Sequence, residues 1–361
     1  MLFEDGKGYL AEVGGFMRLM KNKLYVNALN TILSTLNLSP LQGSRIMVTG
    51  ATGMLGSCLV DLLRHMGNVR VIALGRNETS AEERFGPSAD DYTFYPHDVC
   101  LPLKEVQEPV DYIIHAASPA NPVSYTQAPT GTLLANIQGA KNLLDYGLSH
   151  GMKRFLFISS GEVYGQPNEN MDDFTEDYCG PLDLSSPRTC YPEGKRSAEV
   201  LCQSYISQYG VDAVIVRPCH LFGPTMTRKD SRAVSEFLRN AADGRDIVMK
   251  SAGVLERSHC YVVDAVAALL LVLRDGKCGE AYNIADRRHQ MTIREFAEKA
   301  ADAGGCHVTH IQPSVMEIRG YSKSGRMVLN ARKMESLGWR AENTNAIRET
   351  VNILRGSIDR K

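Results

Sequence analysis

The chain has 361 residues, 43% of them hydrophobic and 22% charged, which allows one large or two closely joined domains with a full core and excludes a disordered chain. With 40 Lys and Arg against 41 Asp and Glu, the formal net charge of −1 gives no reason to expect nucleic acid or an anionic membrane as partner. Any anion must be held by a local site.

The opening MLFEDGKGYL carries acids where a secretory signal needs a basic and then an apolar region. Residues 1–44 stand apart, interrupted by Gly14 and Gly15 and closed by Pro40 and Gly43. Phe16, Leu19, Met20, Leu24, Val26, Leu29, Ile32, Leu33 and Leu36 are spaced as one or two amphipathic helices, an N-terminal extension that caps the fold or joins a subunit contact. From Arg45 the pattern changes. Ile46–Val48 is a buried strand, Leu59–Met66 a helix and Val69–Leu74 a second strand. Tyr92–Tyr95, Tyr112–Ile114, Phe155–Ile158 and Ala213–Val216 read as strands, with helices at Thr132–Tyr146 and Glu193–Tyr209. Continuously apolar strands alternating with helices predict an α/β fold, a doubly wound parallel sheet covered on both faces. After Pro218 the alternation loosens. A helix at Asp264–Leu273 and a strand near Tyr282–Ile284 return to the sheet, and the tail from Thr292 is mainly helical with a break at 307–313. The expected division is a dinucleotide-binding domain of residues 45–217 with 256–285, and a smaller, mainly helical substrate domain of residues 218–255 with 286–361. The longest near-apolar run, Val262–Leu273, is too short to cross a bilayer and contains Asp264. Nine scattered cysteines, odd in number and never spaced C-x-x-C, fit reduced thiols in a cytoplasm rather than disulfides or a metal site.

Thr49-Gly50-Ala51-Thr52-Gly53-Met54-Leu55-Gly56 joins the first strand to the first helix. A dinucleotide pyrophosphate needs bare backbone N–H groups at a helix N-terminus, and glycines at 50, 53 and 56 supply them. The second strand ends in Leu74-Gly75-Arg76 without the acid that would accept from an adenosine ribose. Arg76 suits a 2′-phosphate or stacks on adenine, leaving NAD and NADP both open. Asp98, before Val99, either accepts from an adenine amino group or makes a turn.

Tyr191 and Lys195 lie four apart at the start of a helix, with Pro192 at its first turn, so they share one face. A free phenol with a pKa of about 10 is a poor base at neutral pH, and a nearby ammonium favours its ionised form. Upstream, the strand Phe155–Ile158 runs into Ser159-Ser160-Gly161-Glu162, and strand carboxyl ends line the ligand crevice of an open parallel sheet.

TGATGMLG, HAASP, SSGEVYG, YPEGK, RPCHLFGP and YVVDA occur in that order between Arg45 and Trp339. In these motifs the chain resembles the extended short-chain dehydrogenase/reductases, in their sugar-nucleotide epimerase/dehydratase branch. SSGEVYG, Ser186–Arg196 and Thr225–Phe237 are most similar to UDP-glucuronate decarboxylases. The resemblance implies a nucleotide-sugar enzyme that oxidises C4 to a ketone and returns the cofactor's hydride in the same cycle. Tyr191 would take the 4-OH proton with Lys195 in support, Ser160 would bond the 4-oxygen, and Glu162 would sit near C5 or C6. Thr52 joins the phosphate loop, and Ala116, Ala117 and Ser118 would line the nicotinamide side. Arg188, Arg257 and Ser118 would touch substrate, and Asp230, Arg232 and Ser235 would lie in the segment covering the nucleotide. A homodimer through the helices at Thr132–Tyr146 and Glu193–Tyr209 is also implied. His220 stands where relatives usually carry Asn, and Gly161 stands where many 4,6-dehydratases have Asp. The arginine that would hold a substrate carboxylate falls at Arg326 or Arg332. Dehydration, 4-epimerisation and NADPH-dependent 4-keto reduction remain alternatives, with a regulator that lost the chemistry opposed by Ser160, Tyr191 and Lys195 occurring together.

Overall fold

A computed structural model of the chain describes residues 19–357 apart from 121, 170, 229 and 313–325. Helix α1, Lys23–Thr35, starts where the Asn22 side chain accepts from the N–H groups of Leu24 and Tyr25. It buries Tyr25, Leu29 and Ile32, spaced at one helical face. Leu24, expected on the buried face, is 42% exposed, because the stripe is centred one residue further on at Tyr25. Gly14, Gly15 and Phe16 lie outside the described residues.

The centre is a parallel sheet made of β1 (Arg45–Thr49), β2 (Arg70–Gly75), β3 (Tyr92–Pro96), β4 (Tyr112–His115), β5 (Arg154–Ile158), β6 (Ala213–Pro218) and β10 (Ala281–Ile284). Their spatial order is β10-β6-β5-β4-β1-β2-β3. Ile46, Met47 and Val48 are fully buried, as a central strand with both faces covered requires. Helices α2 (Met54–Met66) and α3 (Glu78–Phe85), then α4 (Pro122–Gln127), α5 (Pro129–Ser149) and α6 (Cys190–Tyr209), connect these strands. The connection reverses direction between β1 and β4, so a crevice opens beyond their carboxyl ends.

Beyond Pro218 the chain builds three short strands that the sequence pattern does not announce: β7 (His220–Phe222), β8 (Ile247–Met249) and β9 (Glu256–Tyr261). Helix α7, Ala233–Ala242, lies between β7 and β8, and α8, Val262–Asp275, follows β9. Residues 256–261, grouped by sequence with the large sheet, pair instead with β7 and with β11 (Asp286–Thr292) in a separate three-stranded sheet. The expected break near His307 contains β12, Val308–His310, which pairs in parallel with β8; Pro313 lies outside the described residues. Helix α9, Ile293–Gly304, opens on a reciprocal cap between Thr292 and Glu295, and α10 (Arg332–Ser336) and α11 (Ala346–Ser357) complete the tail. Among the described residues no helix is long and apolar enough to cross a membrane.

The N-terminal extension is tied to the large sheet's outer layer by buried charge. The Tyr25 hydroxyl donates to Asp61 Oδ2 of α2 at 2.7 Å, and the Arg84 guanidinium of α3 pairs with the same carboxylate. Both charged side chains are 3% exposed. Removing one partner of such a pair strands the other charge. Arg84→Met should therefore lower unfolding free energy by about 3–5 kcal/mol, read from chemical denaturation. A loss under about 1 kcal/mol would mean that the pair is solvated like a surface bridge.

Candidate active site

The loop after β1 is shaped by contacts that leave no room for side chains. Gly50 has φ +65°, and a β-carbon there would stand 2.8 Å from the Ala117 backbone at the end of β4. A β-carbon at Gly56 would overlap the Gly50 carbonyl. Gly53 caps α2 without a side chain, so no side chain covers the first-turn N–H groups of Met54, Leu55 and Gly56. Thr52 and Gly53 stay partly exposed beside them. This is the geometry a diphosphate needs. Arg76 is exposed past the end of β2. Asp98 is exposed past β3 and accepts from the Cys100 N–H at 3.0 Å, so it makes a turn, while the Val99 carbonyl accepts from buried Asn142 at 2.8 Å. Past β4, Ala116 and Ala117 are partly buried, and Ser118 donates to Asn136 Oδ1 at 2.8 Å. Ser118 is thus engaged by α5.

Helix α6 is pinned to the end of β5 by two buried groups one turn apart. Lys195 Nζ, 2% exposed as a residue, donates to the Ile158 carbonyl at 2.7 Å. Glu199 accepts from Ser159 and pairs with Arg217 Nη2 at 2.7 Å. The same pinning brings Tyr191, one turn earlier, against Ser160, two residues beyond Ile158. Ser160 Oγ already accepts from the Glu162 N–H at 3.1 Å, which leaves its own proton to donate. Tyr191 stacks on Tyr125 of α4 with ring centroids 4.8 Å apart. Arg188 lies over the Tyr125 ring at 5.5 Å and holds Glu162 in a two-pronged pair at 2.9 and 3.2 Å.

The electrostatics differ from the sequence expectation in one respect. Burial pushes the Tyr191 phenol up to about 12 and the Glu162 carboxylate adds to this; Ser160, Arg232 and Arg188 pull it down. Lys195 is absent from these leading influences. Its Nζ is 5.9 Å from the Tyr191 ring centre, and its bond is to a backbone carbonyl. Burial itself brings the Lys195 ammonium down to about 7, against the nearby Glu199 carboxylate. Lys195 therefore anchors the helix that carries Tyr191 to the end of β5.

A cationic wall faces this corner from the smaller sheet. Arg232, at the start of α7, is gripped by Asp230 at 2.6 Å and donates to the Leu221 carbonyl at 3.1 Å. It also approaches Met54 Sδ of the phosphate loop at 3.5 Å. Ser235 donates to Asp230 at 2.7 Å. Arg257, 4% exposed, donates to the Glu256 carbonyl at 2.9 Å; burial brings it down to about 10, with Glu162 raising and Arg188 lowering it. His220 lies beside His259, ring centroids 5.9 Å apart. Arg326 donates from Nε to Glu256 at 2.6 Å, one residue from Arg257.

Ser160, Glu162, Arg188, Tyr191, Lys195, His220, Arg232 and Arg257 thus converge at one end of the crevice, while Arg76 and Asp98 lie at the other. Tyr125, Glu199 and Arg217 went unremarked in the sequence. Glu199 could have been found from the repeat of four along α6 through Tyr191 and Lys195, but nothing local marks Tyr125. Among the described residues no group of three or more His, Cys, Asp or Glu could hold a metal ion.

Residues 46–285 match the NAD dependent epimerase/dehydratase family. The chain is 35% identical over 269 residues to UDP-glucuronic acid decarboxylase 6 of Arabidopsis thaliana, spanning 72% of this chain and 76% of that one. It is 35% identical to UDP-glucuronic acid decarboxylase 1 of Xenopus tropicalis over 65% of this chain, but only 55% of that protein's length. In structure it resembles UDP-glucose 4-epimerase of Thermotoga maritima, with TM-score 0.75, 21% identity, and coverage of 87% of this chain and 100% of that one. It also resembles a dTDP-glucose 4,6-dehydratase of Streptomyces venezuelae solved with NAD bound, with TM-score 0.73, 24% identity, and coverage of 86% and 97%.

The lowered Lys195 makes a signed prediction. The folded chain holds this proton less tightly than the unfolded chain, whose lysine titrates near 10.4. The burial penalty is full below about 7 and is relieved as pH rises towards about 10. The denaturation free energy of the wild type relative to Lys195→Met should accordingly increase across that window. A difference that stays flat would show that the ammonium is not held in low dielectric.

Proposed function

The chain belongs to the NAD dependent epimerase/dehydratase family, and from that premise we propose that it is a nucleotide-sugar decarboxylase acting on UDP-glucuronate. The observation that carries the proposal is the contact of Tyr191, Ser160 and the Glu162–Arg188 pair at the carboxyl end of β5, beside the bare phosphate loop. The large sheet then holds the dinucleotide, and the smaller sheet of β7, β9 and β11 with α7 holds the sugar nucleotide.

The cradle fits NAD. A β-carbon at Gly50 has no space, and the uncapped first turn of α2 presents free N–H groups. Gly50, Thr52, Gly53, Met54, Leu55 and Gly56 would hold its pyrophosphate, with Arg76, Asp98 and Val99 on the adenosine side and Ala116, Ala117 and Ser118 towards the nicotinamide. NAD rather than NADP is preferred because several solved structures that the chain resembles carry NAD. When bound, NAD supplies a positively charged ring and a hydride acceptor.

The chain's own residues do the rest. The phenol of the ligand-free chain is protonated at neutral pH, and it becomes a base only when further positive charge reaches it. Tyr191 then takes the proton of the sugar 4-hydroxyl while Ser160 donates to the same oxygen. Oxidation at C4 turns the C5 carboxylate into a β-keto acid, whose C5–C6 bond breaks to release carbon dioxide and leave an enolate across C4 and C5. Protonation at C5 and return of the Tyr191 proton to the 4-oxygen, with the hydride that bound NAD would give back to C4, would restore the starting state of the protein. Glu162 and Arg188 face the C5–C6 side, where the pair orients the carboxylate. Arg257 and Arg232 complement the diphosphate.

Assembly also has support. Leu134 on α5 is 50% exposed, and Val200 on α6 is 64% exposed. These two helices pack on each other, so their outer apolar residues offer a face for the same helices of a second copy, and we propose a homodimer through it.

The purified protein with UDP-glucuronate and NAD should give a product lighter by the mass of carbon dioxide. Loss of water or an unchanged mass would overturn decarboxylation in favour of dehydration or epimerisation. Tyr191→Phe should lower turnover by at least about 100-fold while leaving nucleotide binding within about threefold; full activity would remove the phenol from its role. Leu134→Glu with Val200→Glu should yield a monomer by light scattering, and an unchanged mass would place the contact elsewhere.

A further inference from the structure

His220 opens β7 directly opposite His259 in β9, in parallel register. Arg257 stands two residues before His259 and therefore on the same face of β9. Arg232 reaches the carbonyl of Leu221, the residue after His220. Two of the neighbouring guanidinium groups bring their own carboxylates: Arg188 has Glu162 and Arg232 has Asp230. Behind His259, the His289 carbonyl lies 3.2 Å from its Nδ1, and His289 in turn pairs with Asp286 at 2.8 Å. Burial holds the His220 imidazole well below its ordinary range, and the strongest further influences, His259, Arg257, Arg232 and Arg188, all act in the same direction. The surroundings of His220 thus disfavour charge on its ring.

An anion bound to this wall changes that balance. It cancels the field of the guanidinium groups and offers an acceptor to a protonated ring, and each effect favours the imidazolium.

We propose that His220 is a proton-coupled reader of the substrate's anionic centre: binding of a nucleotide sugar draws one proton from solvent onto its ring. The inference rests on the sugar-nucleotide reading of the crevice and adds a regulation to it, since affinity then follows pH. The balance is one imidazole plus one proton giving one imidazolium, with no other bond made or broken. Between the free and bound pKa values of such a group, affinity rises by up to about tenfold for each unit fall in pH.

The test is calorimetric titration of the NAD-saturated protein with UDP-glucose. Its diphosphate is a diester, without the monoester proton that titrates near pH 6. Affinity should strengthen from about pH 9 to about pH 6, and heats in buffers of different ionisation enthalpy should report uptake approaching one proton. In His220→Asn, or in His220→Gln should the first variant not fold, binding should persist while pH dependence and proton uptake vanish. Proton uptake that survives both substitutions, or wild-type binding with no linked proton, overturns this inference alone. No binding of UDP-glucose or of UDP-glucuronate at any pH overturns it together with the sugar-nucleotide reading.

Discussion

The bond from the Lys195 ammonium to the Ile158 carbonyl sets the geometry on which the rest depends. It fastens the first turns of α6 to the last residue of β5, and Glu199 repeats the attachment one turn later through Ser159 and Arg217. The sheet is rigid because its strands are buried on both faces. A helix fastened to its rim in this way has little freedom to slide. Tyr191 and Ser160, which belong to different elements, therefore meet without any direct covalent or secondary-structure link. The chemistry proposed here is the consequence of that fastening.

The buried ammonium also has a cost that the fold offsets. It gives up hydration for one backbone bond and a ring face, the Phe157 ring lying 4.8 Å from Nζ. Glu199 lies on the same side and favours the charge. A second set of buried charges lies across the crevice, where Arg232 and Arg257 lie on the side of His220 and act on it together with Arg188. Each set is tolerable in the low-dielectric interior only because carboxylates or an anionic ligand face it. The phenol thus lies between an anchored lysine on the side of β5 and the guanidinium groups of the smaller sheet.

Much of this was legible in the sequence. Strands β1, β2, β4, β5 and β6 announce themselves as short apolar runs, since a buried parallel strand has no polar face to confuse the pattern, and β3 and β10 were placed as well. The helices α5, α6 and α8 were also visible, with ends shifted by a few residues. The phosphate loop was legible because its glycines are demanded by backbone contacts within a few residues. The short strands β7, β8, β9, β11 and β12 were not legible. They carry charged and aromatic residues such as Arg257, His259 and His289, and their pairing is fixed by partners far away in the chain. For the same reason the sequence could nominate Arg188 and Glu162 separately but not their mutual pair, and gave no sign that Tyr125 stacks on Tyr191. The spacing that puts Lys195 on the face of Tyr191 was legible, but its bond to the Ile158 carbonyl was not, because that carbonyl lies 37 residues away in the chain.

The central claim is that the phenol, the Ser160 hydroxyl and the nicotinamide act on one carbon–hydrogen bond of a bound sugar. Single-turnover absorbance of the nicotinamide with UDP-glucuronate carrying deuterium at C4 tests it most directly. The account predicts transient reduction of the cofactor, slowed several-fold by the deuterium. Product formation with no reduced cofactor at any time and no isotope effect would contradict it.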